Sequence, residues 1–483
     1  MAAVTVTTAA GSAVRLTRHP LQRCGARAVA GLVRADVPEA VTSAMLDEVT
    51  HLLAGDLVRA AATVDKSQLA YDWWKVLFAL YPNSPVTHSK RSRDPGQLRV
   101  AVERLFAGDP AEGVRSSCVF CGQPAGTLWG KDRLPMFDSL KAVNTLPPGL
   151  PGWPVCRGCR VAMWALPYGA WVTAGSATVM TCPDDAVEQR FVQGNLVRAA
   201  RIQEAGFSGL PADASAETVT LDALRELGRA AGTGSTLWLF KNDNQDAWLR
   251  VTATRGGIPV FLRRLFADPE SRAGWFALRR ALTQRDKDGQ VTVSGAAAAA
   301  KTLFDPGDRP GRPSGDRLQR ELVRQAGNLE RFTGQTLTAW RALCRLYLEV
   351  VHGMDTGQVK PARELITDWI MADPNPRGRY NRYAKAAVRW TDLQRLLIEA
   401  ANRLLLDGGH PPDITPAAQS LLAPDLNGWR LRGLLFFDVV AELVNRGAPI
   451  GHKSSPDDDP DDEAFSTSLN PPASDDETEA QSA

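Results

Sequence analysis

Three features of the 483-residue chain predict an α+β fold, predominantly helical and multi-domain. Long stretches beyond residue 316 place apolar side chains three and four residues apart, as Leu393, Leu396, Leu397, Ala400 and Leu404 do, which is the period of a helix face. Leu237–Phe240 and Ala247–Thr254 instead read as two strands of a hairpin around Asn242-Asp243-Asn244. Between them in character stand four cysteines in two C-x-x-C pairs, Cys118/Cys121 and Cys156/Cys159, the spacing of a metal-held ribbon. The class is therefore a helical framework with an inserted Cys₄ zinc ribbon and a C-terminal helical bundle.

Taken in order, residues 17–80 read as helices. Pro38–Leu57 is helical with Pro38 tolerated in the first turn. Ser67–Leu80 carries Tyr71, Trp73, Trp74, Leu77 and Phe78 into a Tyr81-Pro82-Asn83 stop. The Trp73-Trp74 pair fits a buried helix face better than a base-stacking platform. Ser84–Gly96 breaks the pattern and holds Lys90-Arg91-Ser92-Arg93 between Pro85 and Pro95. Such a loop suits phosphate contacts and equally suits plain solvation. Leu98–Phe106 is a helix, and Val161–Val172 is apolar and aromatic, a buried strand or core. Residues 186–285 are mixed, with helices at Ile258–Phe266 and Trp275–Leu282. Asp305–Asp316 is rich in Pro, Gly and Asp, a linker. Helices follow at Arg317–Val351, Ala362–Met371, Arg379–Leu406 and Leu431–Val444. The domain plan is 1–115 N-terminal and mostly helical, 116–185 zinc ribbon, 186–305 mixed, 306–316 linker, 317–450 helical bundle and 451–483 disordered acidic tail.

The quartet carries the most chemistry. Each C-x-x-C turn brings two thiolates to one tetrahedral centre at about 2.3 Å from zinc. Gly122 and Gly158 stand where a tight knuckle needs φ > 0. Four thiolates close the shell and leave no position for a reactive water, so the Zn²⁺ expected at Cys118, Cys121, Cys156 and Cys159 is structural. Its 34-residue interval, Gly122 to Val155, exceeds a simple ribbon and holds an insert with Trp129, Lys131, Arg133, Phe137 and Lys141 before the proline-rich Thr145–Pro154. Those basic and aromatic residues suit either stacking on nucleic acid or packing of the loop. Cys24, Cys182 and Cys344 read as buried thiols of a reducing cytosol.

Charge is unevenly distributed. The formal net charge is +2, but ten acidic residues and only Lys453 as a basic one lie beyond Gly451. The rest holds 55 Lys+Arg against 44 Asp+Glu, about +11, which fits a polyanionic partner or simply an arginine-rich coding bias. Neither a secretory leader nor an apolar run of membrane-spanning length is read, so the expectation is a soluble cytoplasmic protein that does not engage a membrane.

Enzyme motifs are weak. An HNH-type nuclease needs a histidine between its knuckles as general base, and none of the six histidines lies there; Asp132-Arg133 stands where Asp-His would. Gly295–Thr302 approximates a phosphate loop but has Ala300 in place of its second glycine, and its alanine run favours helix. The expectation is a chain without catalysis of its own. The alternatives are a zinc-ribbon DNA-processing enzyme of the HNH kind and a zinc-ribbon adaptor or transcription protein.

Three stretches resemble a known family. Leu16-Thr17-Arg18-His19-Pro20 with Gly25 is similar to its N-terminal opening, with Arg18 at a glycine position and Cys24 at an acidic one. Tyr81-Pro82-Asn83-Ser84 precedes the basic loop. Cys118-Val119-Phe120-Cys121-Gly122, Asn144, Cys156-Arg157-Gly158-Cys159 and Leu166-Pro167-Tyr168-Gly169 form the most specific part. Over residues 14–175 the chain resembles the CXXC–CXXC family of CRISPR-associated proteins, large subunits of type I Cascade of the I-A/I-B kind.

The resemblance implies a non-enzymatic subunit of a ribonucleoprotein surveillance complex in antiviral defence. It would bind the crRNA handle and recognise the protospacer-adjacent motif in double-stranded DNA. It would also help open the duplex, contact displaced single-stranded DNA, join other Cascade subunits and recruit the helicase–nuclease. The nucleic-acid contacts expected on this reading are Lys90, Arg91 and Arg93; Lys131 and Arg133; and Arg377, Arg379, Arg382, Lys385 and Arg389.

Overall fold

The computed structural model describes residues 12–110, 116–136, 152–228, 232–242, 247–306, 316–326, 334–387 and 389–448. Seventeen α-helices and only small sheets stand among them, so the chain is a predominantly helical α+β protein. Two compact units divide it: Met1–Gly228 with Ser235–Ala253, and Arg229–Gly234 with Thr254–Ala483.

The first unit begins with α1 (Pro20–Leu32), α2 (Ser43–Ala62), α3 (Leu69–Leu80) and α4 (Pro95–Phe106). Two short antiparallel pairs follow: β1 (Ser116–Ser117) with β2 (Pro124–Ala125), and β3 (Leu128–Trp129) with β4 (Trp153–Pro154). Next come α5 (Arg157–Gly169), β5 (Trp171–Val172), β6 (Ala177–Thr181), α6 (Asp185–Ala205), α7 (Ala216–Leu227), β7 (Thr236–Lys241) and β8 (Trp248–Thr254). Strands β5 to β8 pair antiparallel in chain order, with Val179 opposite Trp238 and Trp238 opposite Val251. The expected hairpin is present as β7 and β8, although residues 243–246 of its turn lie outside the described residues.

Helix α5 is the axis of this unit. Every residue from Gly158 to Gly169 is buried. A Cβ on Gly25 of α1 would stand 1.8 Å from the Ala162 carbonyl oxygen, so the α1 backbone lies directly on α5 and only glycine fits. Around it, Tyr81 stacks on Trp164 with ring centroids 4.1 Å apart and planes 7° apart, and the Tyr81 hydroxyl donates to the Met163 carbonyl. Trp73 meets Tyr168 edge-on at 5.0 Å, which places the Trp73-Trp74 pair in the core. Arg23 and Arg27 of α1 clamp α6 through Asp185 and Glu188, at 2.5–2.9 Å.

In the second unit, α8 (Ile258–Ala267) and α9 (Pro269–Leu282) pack beside α12 (Gly334–His352), and α13 (Lys360–Met371) and α12 both pack on α17 (Leu426–Asn445). Between α9 and α12 come β9 (Gln284–Arg285), β10 (Val291–Val293), α10 (Gly295–Lys301), β11 (Phe304–Pro306) and α11 (Arg317–Ala326). Helices α14 (Pro376–Ala386), α15 (Trp390–Leu406) and α16 (Thr415–Leu421) lie between α13 and α17. Asp316, fully buried, accepts from Arg430 Nε at 2.8 Å, and the His352 ring approaches its other oxygen to 2.8 Å. Burial works to raise the Asp316 carboxyl, yet His352 and Arg430 outweigh it and hold the group below its usual range.

Several expectations need correction. Pro38–Leu57 is not one helix: Pro38–Ala40 forms a separate 3₁₀ turn, Val41 is extended and buried, and Thr42 Oγ1 caps α2 by accepting from the Met45 N–H. The Val161–Val172 stretch is mostly helix, with strand only at Trp171–Val172; burial on all sides erases the 3.6 period that would have marked it. Arg379–Leu406 is two helices, broken where Arg389 turns extended at φ −103°, ψ 128°. The 305–316 linker begins as strand β11 and ends at the buried Asp316, while 307–315 lie outside the described residues, as does the acidic tail 451–483. The alanine run forms α10, capped by Ser294 accepting from Ala297 N–H.

Candidate metal centre and basic side chains

The two knuckles are built differently. In the first, Gly122 N–H donates to the Cys118 carbonyl at 2.9 Å and Cys118 N–H to the Gln123 carbonyl at 2.7 Å. Gly122 takes φ +72°, the left-handed conformation this tight turn requires. In the second, Cys156 is the N-terminal cap of α5 and Cys159 sits in its first turn, with Arg160 N–H donating to the Cys156 carbonyl at 3.0 Å. Gly158 is thus helical, and the expected positive φ is absent. Its hydrogen is needed for another reason: a Cβ there would lie 2.0 Å from the Ala13 carbonyl oxygen.

The four sulfurs lie within 4.8 Å of one another, and Cys121 Sγ and Cys156 Sγ are 3.5 Å apart. Four ligands about 2.3 Å from a tetrahedral ion stand roughly 3.8 Å from each other, so the set fits such an ion. The site can hold a metal ion and has four sulfur donors to do so. The four sulfurs govern one another's titration: Cys118 is pushed down, chiefly by Cys121, and Cys159 is pushed up, chiefly by Cys118. A bound cation holds all four as thiolates.

Neighbouring groups fix the knuckles. Val119 N–H donates to the Pro154 carbonyl at 2.9 Å and joins the first knuckle to β4 just before the second. Arg160, 1% exposed, donates to the carbonyls of Leu105 at 3.0 Å and Ala107 at 2.8 Å and pairs with Asp109 at 2.8 Å. Gln22 Nε2 of α1 points to Cys159 Sγ at 3.7 Å. His19, at the residue before α1, meets Phe120 between the first two cysteines, ring centroids 5.0 Å apart; burial pushes its imidazole below the usual value. Sequence spacing does not signal this neighbour, because it comes from outside the interval between the knuckles.

The basic residues expected at nucleic acid differ in exposure and in the partners that hold them. In the first unit Lys90 and Lys131 are exposed. Arg91 is buried over the Trp74 ring at 4.2 Å, with Nε donating to the Ala61 carbonyl at 2.7 Å. Arg93 donates to the Thr63 carbonyl at 2.6 Å, and Arg133 pairs with Asp132 at 3.1 Å. Phe137 and Lys141 lie outside the described residues. In the second unit Lys385 and Arg389 are exposed and Arg377 is half-buried. Arg379 is held by Asp373 at 2.6 Å and lies over Trp369, while Arg382 makes two bonds to Glu399 at 2.9 and 2.7 Å. The two basic groups belong to different units. Among the described helices none is long and apolar enough to cross a membrane. No protein-family model, curated protein or solved structure matches the chain.

Proposed function

We propose that the chain is a non-enzymatic large subunit of a type I Cascade complex of the CXXC–CXXC kind, and that its metal is zinc in a structural role. The observation that carries this reading is the donor set. Four cysteines, two in a loop knuckle and two on a helix terminus, use every position of a tetrahedral ion, so a reactant has nowhere to bind on it. The reading gives the centre the task of holding the base of the insert against the N-terminal segment. It gives the exposed lysines and arginines the task of meeting phosphates of crRNA and DNA. Sequence discrimination is left to guide pairing, and the protein reads a short duplex motif and backbone charge.

Purification from the native cells tests the reading. The protein should come out with a small RNA of uniform length and with partner subunits, and should leave DNA intact in magnesium. A chain that purifies free of RNA and partners and cuts DNA by itself would replace this reading with the zinc-ribbon nuclease.

A further inference from the structure

Between α3 and α4 the loop 83–92 and the first turns of α4 line an open cleft of about 620 Å³. Asn83, His88, Lys90, Arg91, Ser92 and Gln97 supply its polar lining, and no carboxylate is among the lining residues. Asp94, the nearest acid in sequence, is occupied as the cap of α4, accepting from Gln97 N–H at 2.7 Å.

The donors of this lining are in surplus. Arg91 is 7% exposed, and its fixed contacts are neutral: the Ala61 and His88 carbonyls at 2.7 and 3.3 Å and the Trp74 face. Its Nη2 and the Asn83 Nδ2 are buried without a hydrogen-bond partner. A guanidinium withdrawn from water with no counter-charge is unfavourable, and an unmet buried donor adds to that. His88 Nδ1 accepts from the Lys90 backbone N–H at 3.1 Å, so Nε2–H is the ring's remaining donor. Gln97 Oε1 is taken by Ser92 Oγ at 2.9 Å, which leaves the amide NH₂ as the free end of that side chain. Lys90 is exposed beside them.

We infer that this cleft is a binding site for a phosphate group, met by Lys90, Arg91, His88 and Gln97. A tetrahedral oxyanion accepts from several directions at once, which suits a lining that offers donors from several side chains and no carboxylate. The volume is that of a small-molecule site and exceeds a bare phosphate ion, so the group belongs to a nucleotide or to a phosphodiester backbone. Only the backbone source rests on the nucleic-acid reading above.

The test uses the full chain and two variants, Lys90→Ala and Gln97→Ala, both at exposed side chains and therefore expected to fold. Calorimetric titrations are made with inorganic phosphate, with AMP and with a six-nucleotide oligothymidylate at two salt concentrations. Wild type should bind at least one phosphorylated probe, each variant should bind it about tenfold more weakly, and inorganic phosphate should compete. If the oligonucleotide is the better probe, Lys90→Ala should also lower its log–log salt slope by about 0.7, the single-strand value for one phosphate contact. Preference for AMP supports the site and assigns it to free nucleotides. Binding unchanged in both variants, or no binding of any probe, overturns the inference. Wild-type and variant proteins that still purify with RNA in that case would leave the proposed function standing without this site.

Discussion

Single glycines decide more of this structure than any single charge. Gly25 and Gly158 each face a backbone carbonyl of another segment, Ala162 and Ala13, at distances no β-carbon could occupy. Gly25→Ala should therefore push α1 away from α5 and cost at least about 2 kcal/mol, with a fall in the thermal midpoint of roughly 4–8 °C. An unchanged midpoint in calorimetry would mean that the α1–α5 contact is not as close as described. Gly158 shows how a residue can be read correctly as required and for the wrong reason. The C-x-x-C pattern points to a turn with positive φ, which Gly122 obeys, but the second knuckle is a helix start and its glycine answers to steric contact with Ala13. Arg91 makes a similar point. Its neighbours Lys90 and Arg93 mark a basic loop in the sequence, whereas its burial over Trp74 follows from a partner seventeen residues away that no local pattern announces.

At the scale of elements, a strongly periodic helix such as α15 was legible, while the uniformly buried α5 and the capped α6 and α7 were not. Of the α15 positions read as one face, Leu393, Leu396, Leu397 and Ala400 are buried, and Leu404 near the helix end is half-buried. Helix α5 has no polar face to set the period, and its Pro167 argues against helix locally, so tertiary burial decides its form. Helices α6 and α7 sit inside the region read only as mixed, although Ser215 and Thr218 of α7 form a reciprocal capping box. The four cysteines were legible because their spacing is itself the geometry. Of the insert between them, 137–151 lie outside the described residues, as does 449–483 at the tail. The α14–α15 stretch carries the second basic group, and its charge gives a prediction. On the proposed function, replacing Arg382, Lys385 and Arg389 together by glutamine should reduce the salt slope of single-stranded DNA binding by about 2 log units per decade, at about 0.7 per phosphate contact. Because Arg382 already bonds twice to Glu399, its share should be the smallest of the three when the substitutions are made singly. An identical slope for the triple variant would remove this helix pair from the interface.

For the molecule as a whole, the four-cysteine cluster is where the parts of the first unit are tied together. Around it meet the first knuckle, the Pro154 edge, the start of α5 and, through Gln22, α1. Cys156→Ser should bring metal content from one ion per chain to well below one, and lower the thermal midpoint by on the order of 10 °C, as loss of a folding-linked structural site does. A variant that lost its metal but kept its midpoint would show that the tie is dispensable. Its arrangement also sets a timetable. Gln22 reaches a sulfur 137 residues further along the chain, and Gly25 waits for the backbone of Ala162. At a synthesis rate of about 5–20 residues per second, α1 has been outside the ribosome for roughly 7 to 27 s before its partner helix exists. During that interval its apolar face is uncovered, and only the arrival of the second cysteine pair lets the first unit close.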